Sequence, residues 1–435
     1  MFTIYTESKF LKEKEYVFHV IFREILGIDF SIRDSSVAKV YKIVLSNGKY
    51  LEFADDFFSL IPESIGYCQE KYLPTRISIV RNIIDDEIPF IYGNNTYTEH
   101  ENYTYCGGDF VASAFFMLSR WEEFICTSFD RYGRFPEDKS FAIQTGIIKK
   151  PIVHIYAELL RSLFLKNGYA IPQRHKFQKT LTHDIDFLYK WGKPSDFIKS
   201  CFGDIFRRFS FQTFRSSVSM WKFHKDPYDV YQNLMDLSKH VGLKSTFYFL
   251  FSKSNEWKLE TEQGKRIIQL ILKNKQTLGI HSNYYLEKDA DKILSDKEFY
   301  ENLFGQKLTL NRQHFLKLRM PQTLRVLEQC GIDQDSSLYY SHTPGFRTGM
   351  CIEHSIFDCE RREMLKIKEL PLTIMDGSLL DARKYDEAIQ WVDELYTTVK
   401  KYKGNFVCLW HNSSFNAREW QFIKGVYEYI VKDLV

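Results

Sequence analysis

Two aspartates stand at the end of a short apolar run, with one residue between them. The run covers 180–185, and because side chains alternate along a strand, Asp184 and Asp186 point to the same face. Two carboxylates at close range raise each other's pKa, so the pair requires a shared proton or a cation. The pattern indicates a divalent-metal site, with a second interpretation left open, in which an aspartate caps the turn after the strand.

Two histidines occupy equivalent positions after other apolar runs. His281 follows 277–280, and His411 follows 407–410. A single histidine of this kind is more often a core or capping residue than a ligand. Together with the aspartate pair, however, the two histidines favour one shared site, because an α/β barrel gathers the ends of its strands at one mouth.

The elements that position these residues alternate between strand and helix in the second part of the chain. This alternation predicts a parallel sheet with crossover helices, and some 260 residues suit a barrel-like α/β domain. The predicted strands are 180–185, 245–251, 276–280, 370–375 and 406–410. The predicted helices are 228–241, 262–274, 321–331 and 385–401.

The first part of the chain has a different pattern. A helical stretch over 12–26 and two strands joined by Ser46-Asn47-Gly48 predict a small α+β domain over 1–103, of unknown role. Helical periodicity after an Asp109 cap predicts a helical connector over 104–175, and 176–435 is predicted to be the catalytic barrel. The loop 130–136 carries arginines that either reach a ligand or are solvated, the commoner case.

Composition excludes several classes of protein. With 59 Lys+Arg against 56 Asp+Glu and a net charge of +3, the chain has no overall electrostatic signature of a nucleic-acid-binding protein. No run reaches the roughly 18 apolar residues of a membrane span, so none is predicted. The charged start lacks the apolar region of a signal peptide, which predicts a cytoplasmic location. Oligomeric state is not predicted.

The segment 178–425 resembles the polysaccharide deacetylases, the chitooligosaccharide-deacetylase homology domain of carbohydrate esterase type. The Asp-x-Asp of 182–186 is similar to the first motif of the family, and 244–249 is similar to its Ala-Thr-Phe-Phe strand. Gly279-Ile280-His281-Ser282 is similar to Gly-x-His-Ser/Thr, although Tyr285 stands where the family has a second histidine. The resemblance implies a divergent branch with an extra N-terminal domain and a deacetylase-type distorted (β/α) barrel.

The third family motif, Arg-x-Pro-Tyr/Trp, is approximated by Arg312-Gln313-His314-Phe315, in which histidine replaces proline. The resemblance implies a metal held by Asp186 and His281, and we hypothesise that His314 completes this set. The alternative is that His314 caps a helix and that the metal is weak or absent. Family members use a divalent ion, and Zn²⁺ is favoured here.

The resemblance also implies the catalytic and substrate-binding residues. Asp184 corresponds to the base, oriented by Arg312, and His411 in Leu409-Trp410-His411 corresponds to the acid, while Leu409 forms the acetyl pocket. A backbone N–H near Phe315 is expected to contact the oxyanion. Two further residues keep two interpretations each: Asp376 orients His411 or caps a turn, and Arg347 binds an anionic sugar group or forms a structural ion pair.

The implied reaction is metal-dependent removal of N-acetyl, or O-acetyl, groups from a carbohydrate substrate. Two other classes stay open at this stage. The first is a degenerate, metal-free carbohydrate-binding or scaffolding protein, consistent with Tyr285 and the altered proline. The second is another metallohydrolase on the same fold, because a fold alone does not determine the reaction.

Overall fold

The structure, a computed structural model, describes residues 2–35, 39–83, 86–206, 209–283, 289–382, 384–415 and 421–434. In the described residues the chain forms a six-stranded sheet, a two-stranded sheet and a nine-stranded sheet, all with packed helices. No described helix combines the length and the apolar character needed to cross a membrane.

Among its described residues, the first part of the chain contains eight strands. Six of them form one sheet in the order β2-β1-β3-β4-β8-β7, and the remaining two, β5 and β6, pair with each other. The bounds are β1 Phe2–Thr6, β2 Phe30–Asp34, β3 Val40–Val44, β4 Tyr50–Ala54, β5 Ser78–Ile83, β6 Asp86–Phe90, β7 Gly93–Glu99 and β8 Tyr103–Gly108.

The helices of this part confirm several sequence-based predictions. The helical stretch forms as α1 (Leu11–Phe18) followed by a π-helix (His19–Leu26), and it ends at Gly27 with a φ of 72°. The predicted hairpin is the antiparallel β3–β4 pair, and the Asp109 carboxylate accepts the N–H of Ala112 at 2.9 Å. The remaining helices are α2 Phe110–Ser119, α3 Trp121–Phe124, α4 Phe141–Gln144 and α5 Ile152–Lys166.

The second part is built on a nine-stranded sheet in the order β14-β15-β13-β12-β11-β10-β9-β17-β16. The ladders from β15 through to β16 are parallel, and β14 pairs antiparallel with β15. The bounds are β9 Gln178–Ile185, β10 Ser245–Leu250, β11 Thr277–Ser282, β12 Leu310–Gln313, β13 Gln334–Asp335, β14 His354–Asp358, β15 Glu363–Glu369, β16 Ile374–Met375 and β17 Asn405–His411.

Helices connect most successive strands of this sheet, with β13 to β16 as the exception, so the predicted α/β class is confirmed. No ladder among the described residues joins β14 to β16, so the sheet is an open, barrel-like one. The helices are α6 Pro194–Phe206, α7 Phe211–Lys222, α8 Tyr231–His240, α9 Lys253–Glu260, α10 Glu262–Lys273, α11 Ala290–Phe304, α12 Gln322–Gln329, α13 Asp376–Leu379, α14 Tyr385–Lys401 and α15 Gln421–Lys432.

Some elements differ from the sequence-based expectation. The predicted strand 370–375 forms a ladder only over β16, with a proline at position 371 that cannot donate to a ladder. In the second part of the chain, helices α6, α7, α9, α11, α13 and α15 and strands β12 to β15 were not predicted. Strand β15 has charged residues between buried ones, which hides its apolar face in a simple search for apolar runs.

The two parts of the chain share buried contacts. The apolar core around α1, α2 and α5 also includes Tyr340 and Phe357 from the second part. The hydroxyl of Tyr16 donates to the carbonyl of Ser355 at 2.8 Å, and Arg347 binds Glu123 at 2.5 Å. The first part therefore packs directly on the domain that carries the predicted site.

Candidate metal centre

Strand register brings the predicted residues to one edge of the large sheet. Asp184 on β9 is paired in register with His411 on β17, and His281 on β11 is paired with Arg312 on β12. These strands are parallel, so their carboxyl ends meet at the same edge. The structure therefore brings these four residues, from distant segments of the chain, to one edge of the sheet.

Alternation along β9 assigns opposite roles to neighbouring residues of the 182–186 motif. Asp184 faces the strand-end cavity, whereas His183 is fully buried on the other face of the sheet, against Phe247 and Tyr427. Burial lowers the pKa of His183 to about 4, so its ring is neutral near pH 7. Of these two adjacent polar residues, only the aspartate lines the cavity.

Three side chains in this cavity have the composition and spacing of a metal site. Asp186, His281 and His314 each offer one ligand atom, and these atoms lie within 4.8 Å of one another. Oδ1 of Asp186 is 3.3 Å from Nε2 of His281 and 3.8 Å from Nε2 of His314. Ligand atoms around a tetrahedral Zn²⁺ with bonds of about 2.0–2.1 Å lie roughly 3.3 Å apart, so the group fits such an ion.

Hydrogen bonds on the far side of each imidazole leave the ligand nitrogen open. Nδ1 of His281 donates to the carbonyl of Arg312 at 2.9 Å, and Nδ1 of His314 lies 2.6 Å from Oδ1 of Asn283. When Nδ1 carries the proton, Nε2 keeps its lone pair, the arrangement that metal-binding histidines use.

The inner atoms of the cluster lack ordinary hydrogen-bond partners. Among the described residues, Oδ1 of Asp186 and Nε2 of His281 are buried and have no partner in hydrogen-bond geometry. Burial raises the pKa of Asp186, but the three neighbouring imidazoles lower it by a larger amount. The net shift is downward, so the carboxylate is ionised. A buried polar atom without a partner is costly, and a cation at this point would satisfy both atoms.

His314 is brought toward Asp186 by a sharp turn after β12. Phe315 and Leu316 both have left-handed backbone, with φ of 58° and 54°, which is strained for residues other than glycine. Burial, followed by the charge of His281, lowers the pKa of His314 to about 4. His314 is therefore neutral at pH 7, as a metal ligand must be.

Asp184 has a different environment from Asp186. It is buried, and its Oδ1 accepts a hydrogen bond of 3.0 Å from Nη1 of Arg312. Arg312 is itself fully buried and is fixed by Thr182 and by the carbonyl and hydroxyl of Ser336, at 2.8 to 2.9 Å. This arrangement fixes the orientation of the Asp184 carboxylate beside the metal-type cluster.

His411 is oriented by Asp376. Nδ1 of His411 lies 2.8 Å from Oδ1 of Asp376, whose Oδ2 accepts the backbone N–H of His411 at 2.8 Å. Burial lowers the pKa of His411, but the nearby carboxylates, Asp376 foremost, raise it to about 10. Both interpretations of Asp376 apply, since its Oδ1 also accepts the N–H of Gly377 at the start of α13.

A cavity of about 550 Å³ contains these groups and is partly apolar. Leu409, predicted to form the acetyl pocket, lines it together with Leu316 and Met375, and all three belong to one buried apolar cluster. Phe315 also lines the cavity, and its exposed ring stacks on Tyr132 with centroids 5.2 Å apart.

The structure does not bring Arg347 to this cavity. Its Nε and Nη2 bind Glu123 at 2.9 and 2.5 Å, and its Nη1 donates to the carbonyl of Tyr339 at 2.8 Å. These contacts are those of a buried structural ion pair, which was one of the two interpretations of Arg347 from the sequence. The other interpretation, a contact with substrate, is not supported by the structure. The sequence places Arg347 in a loop, and that position alone does not reveal the distant Glu123 partner.

The sequence left two interpretations for the arginines of the loop 130–136, and it missed Asn283. The loop 130–136 reaches the cavity: Arg131, Tyr132 and Arg134 line it, and Nη1 of Arg134 donates to the carbonyl of Phe315 at 3.2 Å. Asn283, which supports His314, follows His281 at the period of two expected for one face of a strand, a signal that was available. Tyr285, where the family has its second histidine, lies outside the described residues.

Comparison with protein families gives one match. Residues 2–169 match a family of unknown function (DUF7033), which covers the first part of the chain only. A comparison with curated proteins gives no match.

Comparison with solved structures gives partial likenesses at low identity. A protein named as a polysaccharide deacetylase from Mycobacterium smegmatis is 14% identical, with a TM-score of 0.39, over 61% of this chain and 88% of that one. A CE4 family pseudoenzyme from Bacillus anthracis is 12% identical, with a TM-score of 0.32, over 60% of each chain. A family 4 carbohydrate esterase from Streptomyces lividans, in complex with acetate, is 13% identical, with a TM-score of 0.26, over 58% of this chain and 90% of that one.

Proposed function

We propose that this protein is a metal-dependent hydrolase that removes acetyl groups from a carbohydrate. The observation that carries the proposal is the cluster of Asp186, His281 and His314, whose ligand atoms converge within 4.8 Å on one cavity. The order of sequence motifs that resembles the polysaccharide deacetylases supports the same reaction class. Zn²⁺ suits a site of one carboxylate and two imidazoles, with a fourth position left for solvent or substrate.

Different groups in the cavity perform different steps of the proposed reaction. When bound, a divalent ion at this cluster supplies a Lewis acid for the acetyl carbonyl. Asp184, oriented by Arg312 at 3.0 Å, accepts the proton of the attacking water. The carboxylate cannot swing away, because the guanidinium that binds it is itself fixed by Thr182 and Ser336.

His411 supplies the proton that the leaving sugar nitrogen or oxygen requires. Its Nε2 lies 4.0 Å from Oδ2 of Asp186, on the cavity side, while Asp376 holds its Nδ1. With a pKa raised to about 10, the ring carries its proton at neutral pH. Leu409 and Met375 offer an apolar wall for the acetyl methyl.

Metal binding and acetate release together test the proposal. Purified protein stripped of metal is titrated with Zn²⁺, and its stoichiometry is measured by emission spectroscopy before and after the near-isosteric change Asp186→Asn. Acetate release is then measured on acetylated oligosaccharides, with phosphate release from phosphoester substrates in parallel. Asp236→Asn, an exposed aspartate on α8, is the matched control.

The expected result is one Zn²⁺ per chain and acetate release, with both lost in Asp186→Asn and kept in Asp236→Asn. Absence of metal and of acetate release would favour the metal-free carbohydrate-binding alternative. Phosphate release without acetate release would favour another metallohydrolase. Either result contradicts the proposal.

A further inference from the structure

Exposed aromatic side chains are concentrated in one part of the second domain, which we call the aromatic hairpin and define as residues 187–225. It contains α6 and α7, which lie between β9 and α8. Of the 18 large apolar side chains that are exposed among the described residues, eight lie in the aromatic hairpin. They are Phe187, Ile198, Phe202, Phe206, Phe209, Phe211, Val218 and Phe223.

The exposed apolar residues of α6 form a continuous stripe. Ile198, Phe202 and Phe206 recur every four residues, which places them on one face of the helix, and they are 53%, 60% and 66% exposed. Phe209, in the turn between the helices, is 85% exposed. Exposure of this extent is costly in water and marks a surface that is covered in use.

The inner side of the hairpin is packed, so the apolar stripe of α6 faces away from the other helix of the hairpin. The rings of Phe197 and Trp221 stack with centroids 4.5 Å apart and join the two helices. Asp204 is fully buried on the same inner side, where it accepts a hydrogen bond from the hydroxyl of Ser217 at 2.9 Å. The outward aromatic residues are therefore additional to those that hold the hairpin together.

The charge of the hairpin selects the class of partner. Its sequence carries eight Lys and Arg residues against two Asp residues, a net charge of +6, in a chain whose total is only +3. Neither aspartate is an exposed residue: Asp204 is buried and Asp196 is half-buried. On α7, the residues Phe211, Arg215, Val218 and Lys222 share one exposed face, so basic and apolar side chains alternate there.

We propose that the aromatic hairpin binds the surface of an anionic phospholipid bilayer. Phenylalanine side chains enter the boundary between head groups and acyl chains, while lysine and arginine side chains pair with lipid phosphates, as in amphipathic helices that lie in the membrane interface. A second copy of this chain would bury the aromatic residues equally well but would bring two surfaces of the same positive charge together. The charge therefore favours the lipid surface.

The hairpin emerges at the edge of the sheet that carries the candidate metal centre. Pro194, the first residue of α6, is eight residues beyond Asp186, which limits their separation to about 28 Å at about 3.5 Å per residue. Gly192 packs against Trp257 of α9, which follows the carboxyl end of β10. Membrane binding would place the cavity near the lipid surface, but the binding itself does not depend on the proposed hydrolase activity.

Vesicle co-sedimentation tests this proposal. The full chain is mixed with vesicles of equal parts phosphatidylcholine and phosphatidylglycerol, and separately with vesicles of phosphatidylcholine alone. We expect binding to the anionic vesicles that weakens as salt is raised. The double variant Phe202→Ser and Phe206→Ser is expected to reduce the partition coefficient on the order of tenfold per phenylalanine.

Matched variants separate this role from a general effect on folding. Leu60→Ser with Ile65→Ser removes two exposed apolar residues elsewhere, 64% and 50% exposed, and is expected to leave vesicle binding unchanged. Lys199→Gln with Arg215→Gln and Lys222→Gln is expected to reduce binding to anionic vesicles and to weaken its salt dependence. Thermal unfolding and Zn²⁺ stoichiometry are measured on every variant, so a failure of the metal site is recorded separately.

Three results would overturn the proposal. The first is a wild-type chain that stays in the supernatant with anionic vesicles. The second is equal vesicle binding by the wild type and by the Phe202 and Phe206 double variant. The third is a dimer in analytical ultracentrifugation that this variant dissociates while vesicle binding is absent, which would assign the surface to a second copy of the chain.

Discussion

Two of the places where this protein buries charged side chains differ in how fully those charges are satisfied. Between the two parts of the chain, Glu123 accepts hydrogen bonds from Arg347 at 2.5 Å and from Arg120 at 2.8 Å, and Glu122 also binds Arg120. In the cavity, Oδ1 of Asp186 and Nε2 of His281 are buried and have no hydrogen-bond partner among the residues that the structure describes. Two arginines against two glutamates form a closed set, whereas the described cavity cluster keeps buried ligand atoms without hydrogen-bond partners.

This difference separates a structural role from a chemical one. Burial raises the pKa of Glu123, but Arg347 and Arg120 lower it by a larger amount. The carboxylate is therefore ionised and fully paired. A closed set of this kind has no capacity left for a ligand. The cavity cluster keeps open ligand atoms beside free volume, as a binding site requires.

The largest effect is expected from Asp184→Asn, which removes the proposed base from the cavity. Acetate release should fall about 10³-fold, because a neutral amide cannot accept the proton of the attacking water. Zn²⁺ stoichiometry should be unchanged, since Asp184 lies outside the proposed ligand set. Turnover and emission spectroscopy measure the two quantities, and substantial residual turnover would contradict the assigned role.

Arg347→Ala tests the closed set of charges. It leaves Glu123 buried with one partner fewer, and we expect the free energy of unfolding to fall by about 3–5 kcal/mol. Urea unfolding measures this quantity, with the exposed Arg76→Ala as a control expected to change it by less than about 0.5 kcal/mol. A loss no larger than that of the control would show that the buried pair does not stabilise the fold.

A third experiment measures how the free energy of unfolding depends on pH through Glu24, another hydrogen-bonded carboxylate between the two parts of the chain. Burial raises the pKa of Glu24, but hydrogen bonds from His19, Lys368 and Ser355 lower it from 4.5 to about 2. A lowered pKa contributes stability above the unfolded-state pKa and loses it as pH falls through 4.5 toward 2.

Wild-type protein should therefore lose up to about 3 kcal/mol more unfolding free energy than Glu24→Gln on acidification. Urea unfolding at successive pH values measures the difference. Glu298→Gln, at an exposed position on α11, should follow the wild-type curve. Parallel curves for Glu24→Gln and the wild type would mean that Glu24 titrates normally in the folded state.

The smallest of these effects is expected from His314→Ala, which tests whether the open cluster has three protein ligands. Zn²⁺ affinity should weaken about 100-fold, equivalent to about 2.7 kcal/mol, because one of three ligands is lost. The exposed His240→Ala serves as the control. Titration calorimetry measures both, and an unchanged affinity would remove His314 from the ligand set.

The fold class and much of the site were predictable because they depend on local periodicity. Alternation on a strand is sufficient to put Asp184 and Asp186 together and to send His183 to the opposite face. The alternation of strands and helices predicts a parallel sheet, and hence a common edge for His281 and His411. These predictions need no knowledge of distances.

Other features of the site depend on contacts between segments far apart in the sequence. The open ligand nitrogen of His314 depends on Asn283 and on the left-handed turn at Phe315, and neither follows from the Arg312 motif. Arg131 and Tyr132 line the cavity only because the first part of the chain packs on the second. Helices α6 and α7 were not predicted, since their aromatic residues are exposed and do not follow the usual division between core and surface.

The sequence by itself therefore determined which residue types stand at the strand ends and which faces of the strands they occupy, because side-chain alternation is a property of the local backbone. Only the tertiary structure decided which charges are paired. Arg347 and Arg312 are both buried arginines, yet one binds Glu123 more than 200 positions earlier and the other binds Asp184 at the cavity. Pairing depends on distance in space, which strand register and domain packing fix and which the order of residues does not contain.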